Sequence, residues 1–90
     1  MIGRFAFETC KQLTEITLPE GVESIGADAF IECTNLKRIV LPASLTKIDK
    51  TAFMQTHTSQ DLIDATYVVV EGSYAENFCQ SYKLKIEYAR

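Results

Sequence analysis

Tryptophan is absent from this 90-residue chain; histidine occurs once, proline twice and glycine four times. With 47% apolar residues, that scarcity excludes a collagen-like or low-complexity chain and leaves an ordinary folded domain. Basic residues are also short in number, nine Lys and Arg against twelve Asp and Glu, for a net charge of −3. Such a balance excludes the basic footprint of a nucleic-acid binder and a polybasic membrane patch. No apolar run approaches the ~20 residues that span a bilayer, the longest candidate being the strand-sized stretch at 67–70. Met1-Ile2-Gly3-Arg4 opens on no apolar core, so no signal peptide is visible. The three cysteines, Cys10, Cys33 and Cys79, are odd in number and widely spaced, which is not a disulfide framework. No CxxC pair or CxxC…HxxxH spacing exists to hold zinc.

What is present is self-similarity. Ile2-Gly3-Arg4-Phe5-Ala6-Phe7, Ile25-Gly26-Ala27-Asp28-Ala29-Phe30 and Ile48-Asp49-Lys50-Thr51-Ala52-Phe53 align at offsets of 25 − 2 = 23 and 48 − 25 = 23. Cys10 then matches Cys33, Leu13 matches Leu36, Ile16 matches Ile39, Leu18-Pro19 matches Leu41-Pro42, and Val22 matches Leu45. A recurring period of this size marks a repeat architecture, in which one unit cannot bury its own apolar face and must stack on its neighbours. Ile16 and Leu18 alternate with Glu15 and Thr17, as a half-buried strand requires. Pro19 and Pro42 stop the strand, because proline has no N–H for a ladder. Val22…Ile25 and Leu45…Ile48 predict a second short extended stretch. Ala29-Phe30 and Ala52-Phe53 open a helical or 3₁₀ turn, with the two rings stacked as a spine and Cys33 closing the unit.

The unit Ile-Gly-x-x-Ala-Phe-x-x-Cys-x-x-Leu-x-x-Ile-x-Leu-Pro-x-x-Val-x-x resembles the BspA-like, or Treponema-type, leucine-rich repeat. Residues 2–24 and 25–47 carry it in full, and 48–56 carry a partial third copy. The resemblance implies an α/β repeat fold, a right-handed leucine-rich-repeat solenoid of about three 23-residue coils. It also implies a bacterial surface or secreted protein, hence extracellular placement, with adhesion to host or extracellular matrix glycoproteins as the function. The alternative is a structural spacer or cap of a longer repeat protein whose recognition lies elsewhere.

The third copy departs from the pattern. Thr56 stands where Cys belongs, and Ser59 where Leu belongs (36 + 23 = 59). If Tyr67 replaces Ile39, the spacing is 67 − 39 = 28, so about five residues are inserted within 57–65. The chain thus divides into repeats at 1–65 (2–24, 25–47 and an irregular 48–65) and a strand–helix–strand C-terminal cap at 66–90. In the cap, Ser73-x-x-Glu76 is a capping box. Tyr74, Ala75, Phe78, Cys79 and Tyr82 fall at helical spacing on one apolar face, and Leu84, Ile86 and Tyr88 alternate with Lys85 and Glu87. At the other end, Met1 leads straight into mid-repeat sequence. That predicts a piece of a longer array whose uncapped coil, around Ile2, Phe5 and Phe7, invites end-to-end self-association.

No motif assembles a catalytic centre, and none calls for a cofactor or metal. Cys10 and Cys33 sit one repeat apart, near enough for a disulfide, but identical ladder positions point in parallel, which suits buried free thiols. His57 lacks the orienting third group that a Cys–His nucleophile needs and reads as a solvated loop residue. Asp61 and Asp64, near Glu71, lack a calcium-loop spacing, and Gly72-Ser73 lacks a phosphate-loop spacing. A binding face is the remaining candidate. The outward strand residues Glu15, Thr17, Arg38, Val40, Thr66 and Val68 form it, for a protein ligand. Glu15 and Arg38 occupy equivalent places and can pair. Changing Arg38 to Glu or Val40 to Lys should weaken a bound partner and leave stability almost unchanged.

Overall fold

The computed structural model describes residue 3, residues 12–55 and residues 61–89. Ile2, Phe5, Phe7 and Cys10 of the first copy, and Thr56, His57 and Ser59 of the expected insertion, lie outside the described residues. Short strands and one helix follow in the order β1 (Glu15–Thr17), β2 (Ser24–Ile25), β3 (Arg38–Val40), β4 (Lys47–Ile48), β5 (Thr66–Val69), α1 (Tyr74–Ser81) and β6 (Lys85–Tyr88). They form a four-stranded sheet, β1-β3-β5-β6, and a two-stranded sheet, β2-β4, with every pairing parallel.

The register carries the repeat into three dimensions. Glu15 faces Arg38 and Ser24 faces Lys47, each 23 residues on (38 − 15 and 47 − 24). Ile16, Ile39, Tyr67 and Ile86 form one row across the larger sheet. The pairing of Ile39 with Tyr67 establishes the 28-residue step. Gln55 and Asp61 are brought together, the Asp61 carbonyl accepting the Gln55 N–H at 2.9 Å. Ile63 N–H then donates to Phe53 O at 2.7 Å, and Met54 bridges Leu62 antiparallel. Ile63 and Ala65 bury where the 23-residue offset would call for a leucine at Ser59.

Between the sheets the backbone alternates its loyalties. Ala29, Ile31 and Cys33 donate locally to Gly26, Asp28 and Phe30. Phe30 and Glu32 donate instead to Ala52 and Met54 of the next repeat, at 2.7 and 3.2 Å. The expected helical or 3₁₀ turn is therefore of the 3₁₀ type, as separate i→i−3 turns. The reason is the left-handed backbone at Asp28 (φ 57°) and Glu32 (φ 64°), which interrupts any continuous helix. Inside, Phe30 stacks on Phe53 with ring centroids 5.2 Å apart and planes within 5°. Tyr67 meets Phe53 edge-on at 5.6 Å, and its hydroxyl donates to the Ile63 carbonyl at 2.8 Å. Burial raises the Tyr67 pKa, so the phenol stays a donor.

A polar ladder runs along the turns. Asp28 N–H donates to Thr51 Oγ1 at 3.1 Å; that hydroxyl and the Thr51 N–H both donate to Asp49 Oδ1, at 2.6 and 2.9 Å. At the neighbouring corner, Gly21 N–H donates to Ser44 Oγ and Ala43 N–H to Glu20 Oε1, again across 23 and 23 residues.

Helix α1 is closed at both ends by its own sequence. Ser73 Oγ accepts the Glu76 N–H at 3.2 Å. The return bond differs from a simple capping box: Glu76 Oε1 accepts from Gly72 N–H at 2.9 Å, while Ser73 N–H donates to Val70 O. At the far end Lys83, at φ 58°, donates to Gln80 O and Leu84 donates to Cys79 O, a Schellman motif with lysine in the usual glycine place. The buried stripe is Ala75, Phe78 and Cys79. Tyr74 and Tyr82, expected on that stripe, are instead 40% and 46% exposed, because eight residues make only about two turns and bury a narrow face. Tyr74 has another use: its hydroxyl accepts the Ile48 N–H at 3.2 Å, on the outer edge of β4.

Two outcomes follow from this packing. Phe53→Ala removes the ring shared by Phe30 and Tyr67 and should lower unfolding free energy by about 3–5 kcal/mol in a denaturant titration. The hydrogen bonds from Thr51 hold the Asp49 carboxyl below the ordinary aspartate value of 3.8. Their contribution is complete above that value and is lost as pH falls through the lower folded pKa. Denaturant midpoints for wild type and Asp49→Ala should therefore differ at about pH 6 and converge at about pH 2.

Candidate functional site

The outward face of the four-stranded sheet is assembled by alternation and register. One row reads Glu15, Arg38, Thr66 and Lys85; the next reads Thr17, Val40, Val68 and Glu87. All six residues expected on this face are brought together there. Lys85 and Glu87 were absent from that expectation. The alternation of residues 84–88 marks them as a strand, but only the parallel pairing of β6 with β5 puts its two charges on the same face.

Arg38 organises the surface. Its Nη1 donates to Glu87 Oε2 at 3.0 Å, and its Nε lies 3.8 Å from Glu15 Oε1. The expected pairing with Glu15 exists, but the shorter contact runs the other way, across β5 to β6. The expectation for Val68 is corrected by its burial. It points outward by register yet is 3% exposed. Val40 and Glu87 flank it, and the arginine side chain passes over its strand. Glu15 and Thr17 are exposed, while Val40 and Thr66 are half-buried.

The other candidate groups are placed apart from this face. Cys33 and Cys79 are buried, and burial pushes the Cys79 thiol up to about 12, which removes thiolate character near neutrality. Asp61 and Asp64 are exposed, ahead of β5, while Ile63 and Ala65 between and beside them are buried. Among the described residues, no group of three or more His, Cys, Asp or Glu side chains could hold a metal ion. The start of α1 is occupied from within the chain: Glu76 accepts from Gly72 N–H and from the Tyr88 hydroxyl, and these bonds hold its carboxyl below the usual range and Tyr88 above it. Beside α1 a cleft of about 260 Å³ is lined by Lys50, Thr51, Met54, Leu62 and Tyr82. Its described lining residues include no pairing of nucleophile and base.

Parallel short strands at a 23-residue offset, joined by turns around an aromatic stack, define a leucine-rich repeat protein. The chain matches the model of the BspA type leucine rich repeat region (6 copies) over residues 1–87, and it belongs to that family. No curated protein and no solved structure gives a match. The family is generally a non-enzymatic repeat module that commonly mediates protein interactions, typically in surface or secreted proteins. No helix among the described residues is long and apolar enough to cross a membrane.

The ion pairs of Arg38 are exposed, so they add little to stability. Arg38→Ala should cost about 1 kcal/mol or less in a denaturant titration, and less again in high salt.

Proposed function

We propose that this chain is a non-catalytic protein-binding module that uses the outward face of its four-stranded sheet. The supporting observation is the continuity of that face: four strands present two rows of side chains in register, with Glu15, Thr17, Val40 and Thr66 accessible around the Arg38 bridge. In this reading the repeats form a right-handed solenoid of about three coils, and residues 66–90 cap it, with Tyr74 closing the β4 edge. The setting is the surface or secreted fraction of a bacterium, and the ligand is a host or matrix glycoprotein, as in adhesion by proteins of this family type. The apolar residues Ile2, Phe5 and Phe7 serve in this reading as the contact for a further coil or a second copy.

A second reading has its own observation. Arg38 is engaged by two carboxylates and Val68 is buried, so the centre of the face is satisfied from within the chain. That suits a structural spacer whose repeats extend a longer protein.

Immobilised fibronectin, fibrinogen and collagen, probed with the purified chain at two salt concentrations, separate the two. Arg38→Glu also breaks both ion pairs, so it is a poorer probe than the sequence implied. Thr17→Lys and Val40→Lys leave those pairs intact. The binding reading expects saturable binding that weakens about tenfold in either variant with an unchanged unfolding midpoint. The spacer reading expects no binding by any of them.

A further inference from the structure

Strand β6 is the last in its sheet, and no strand pairs with its outer side among the described residues. The polarity of that edge follows from the inner side. Ala89 N–H donates to Val69 O at 2.8 Å. Along an extended strand, successive residues turn their N–H and C=O groups to opposite edges. Lys85, Glu87 and Ala89 therefore face β5, while Ile86 and Tyr88 turn their backbone groups outward. The side chains at this margin are also unfinished as a core: Leu84 and Ile86 are only partly buried, and Tyr88 is 46% exposed.

We propose that the β6 edge is a self-association surface, on which a second copy of this chain pairs antiparallel about a two-fold axis at Ile86. In that register the two Ile86 residues exchange both N–H···O bonds, using the groups that already point outward. Lys85 of each copy stands opposite Glu87 of the other, and Leu84 opposite Tyr88. The contact is isologous, so each favourable pair occurs twice. The signs of the two charges argue for this arrangement. Two lysines at 85 and 87 would guard the edge, as charges on edge strands commonly do. Lys and Glu two residues apart do the reverse, because antiparallel pairing about the residue between them sets unlike charges face to face. Arg38 holds Glu87 through Oε2, which leaves Oε1 for the incoming ammonium group. Lys85 makes no ion pair with a described residue of its own chain.

Sedimentation equilibrium of the full chain tests this, with Lys85→Glu, Glu87→Lys and an equimolar mixture of the two. Each single variant turns two attractive cross-strand pairs into repulsive ones. Its dimer dissociation constant should rise about tenfold or more over wild type. The mixture should recover wild-type affinity as a heterodimer, since every opposed pair is then unlike. Circular dichroism on each variant separates loss of pairing from loss of fold; a Glu87→Lys chain that fails to fold leaves Lys85→Glu as the deciding variant. A wild-type chain that stays monomeric up to about 1 mM overturns the proposal and makes Lys85 an edge guard. Association that Lys85→Glu leaves unchanged also overturns it and moves the contact to another surface, such as the apolar residues of the first copy.

Discussion

The structure depends on hydrogen bonds that leave one repeat and end on the next. Phe30 to Ala52, Glu32 to Met54, Leu18 to Val40, Lys37 to Thr14 and Thr46 to Glu23 are all of this kind. A short unit of this sort cannot satisfy its own backbone. Its strands are two to four residues long, and its turns are broken by left-handed residues. Many of its amides must therefore find a carbonyl on a neighbour, because an unpaired buried polar group is costly. The 23-residue period is the sequence image of that need. A side chain that fits one repeat fits the next only if the backbones stay in register, and the parallel stack of Phe30 on Phe53 is the apolar counterpart of the same constraint.

The irregular third unit shows what this constraint tolerates. Five additional residues enter without shifting the sheet, since Tyr67 still faces Ile39. Gln55 and Asp61 are joined by a backbone hydrogen bond, and residues 61–63 lie along the 53–55 turn. The chain meets the same amides with an antiparallel segment instead of another parallel copy. Helix α1 solves the matching problem at β4, where a tyrosine hydroxyl takes the place of the next carbonyl. Backbone groups of the second unit are thus met by two unlike devices, an antiparallel segment and a tyrosine hydroxyl.

Much of this was readable from residue order. Apolar spacing predicted the strands, the paired phenylalanines, the buried cysteines at 33 and 79, and the 28-residue step. Those features arise from local alternation or from exact recurrence, both of which one sequence displays. What escaped depends on distance across strands. Arg38 and Glu87 are 49 residues apart, and their contact exists only because β5 lies between the strands that carry them. Val68, which alternation alone places in solvent, is 3% exposed on the strand between them. The tyrosines of α1 misled for a related reason. Helical spacing says which residues share a face, whereas the width of the buried stripe is set by what the helix packs on. The turns were half legible, because their aromatic content was evident and the left-handed backbone at Asp28 and Glu32 was not.

Native-state hydrogen exchange tests the dependence on bonds between repeats most directly. Amides that donate across repeats, such as those of Leu18, Phe30, Leu41 and Thr66, should exchange only through global unfolding, with one shared free energy from β1 to β6. The locally bonded amides of Ala29 and Ile31 should open at lower cost. If the β1 and β2 amides instead exchange independently, at a free energy well below that of β5 and β6, the repeats are separate units and the register that joins them is not what holds the fold.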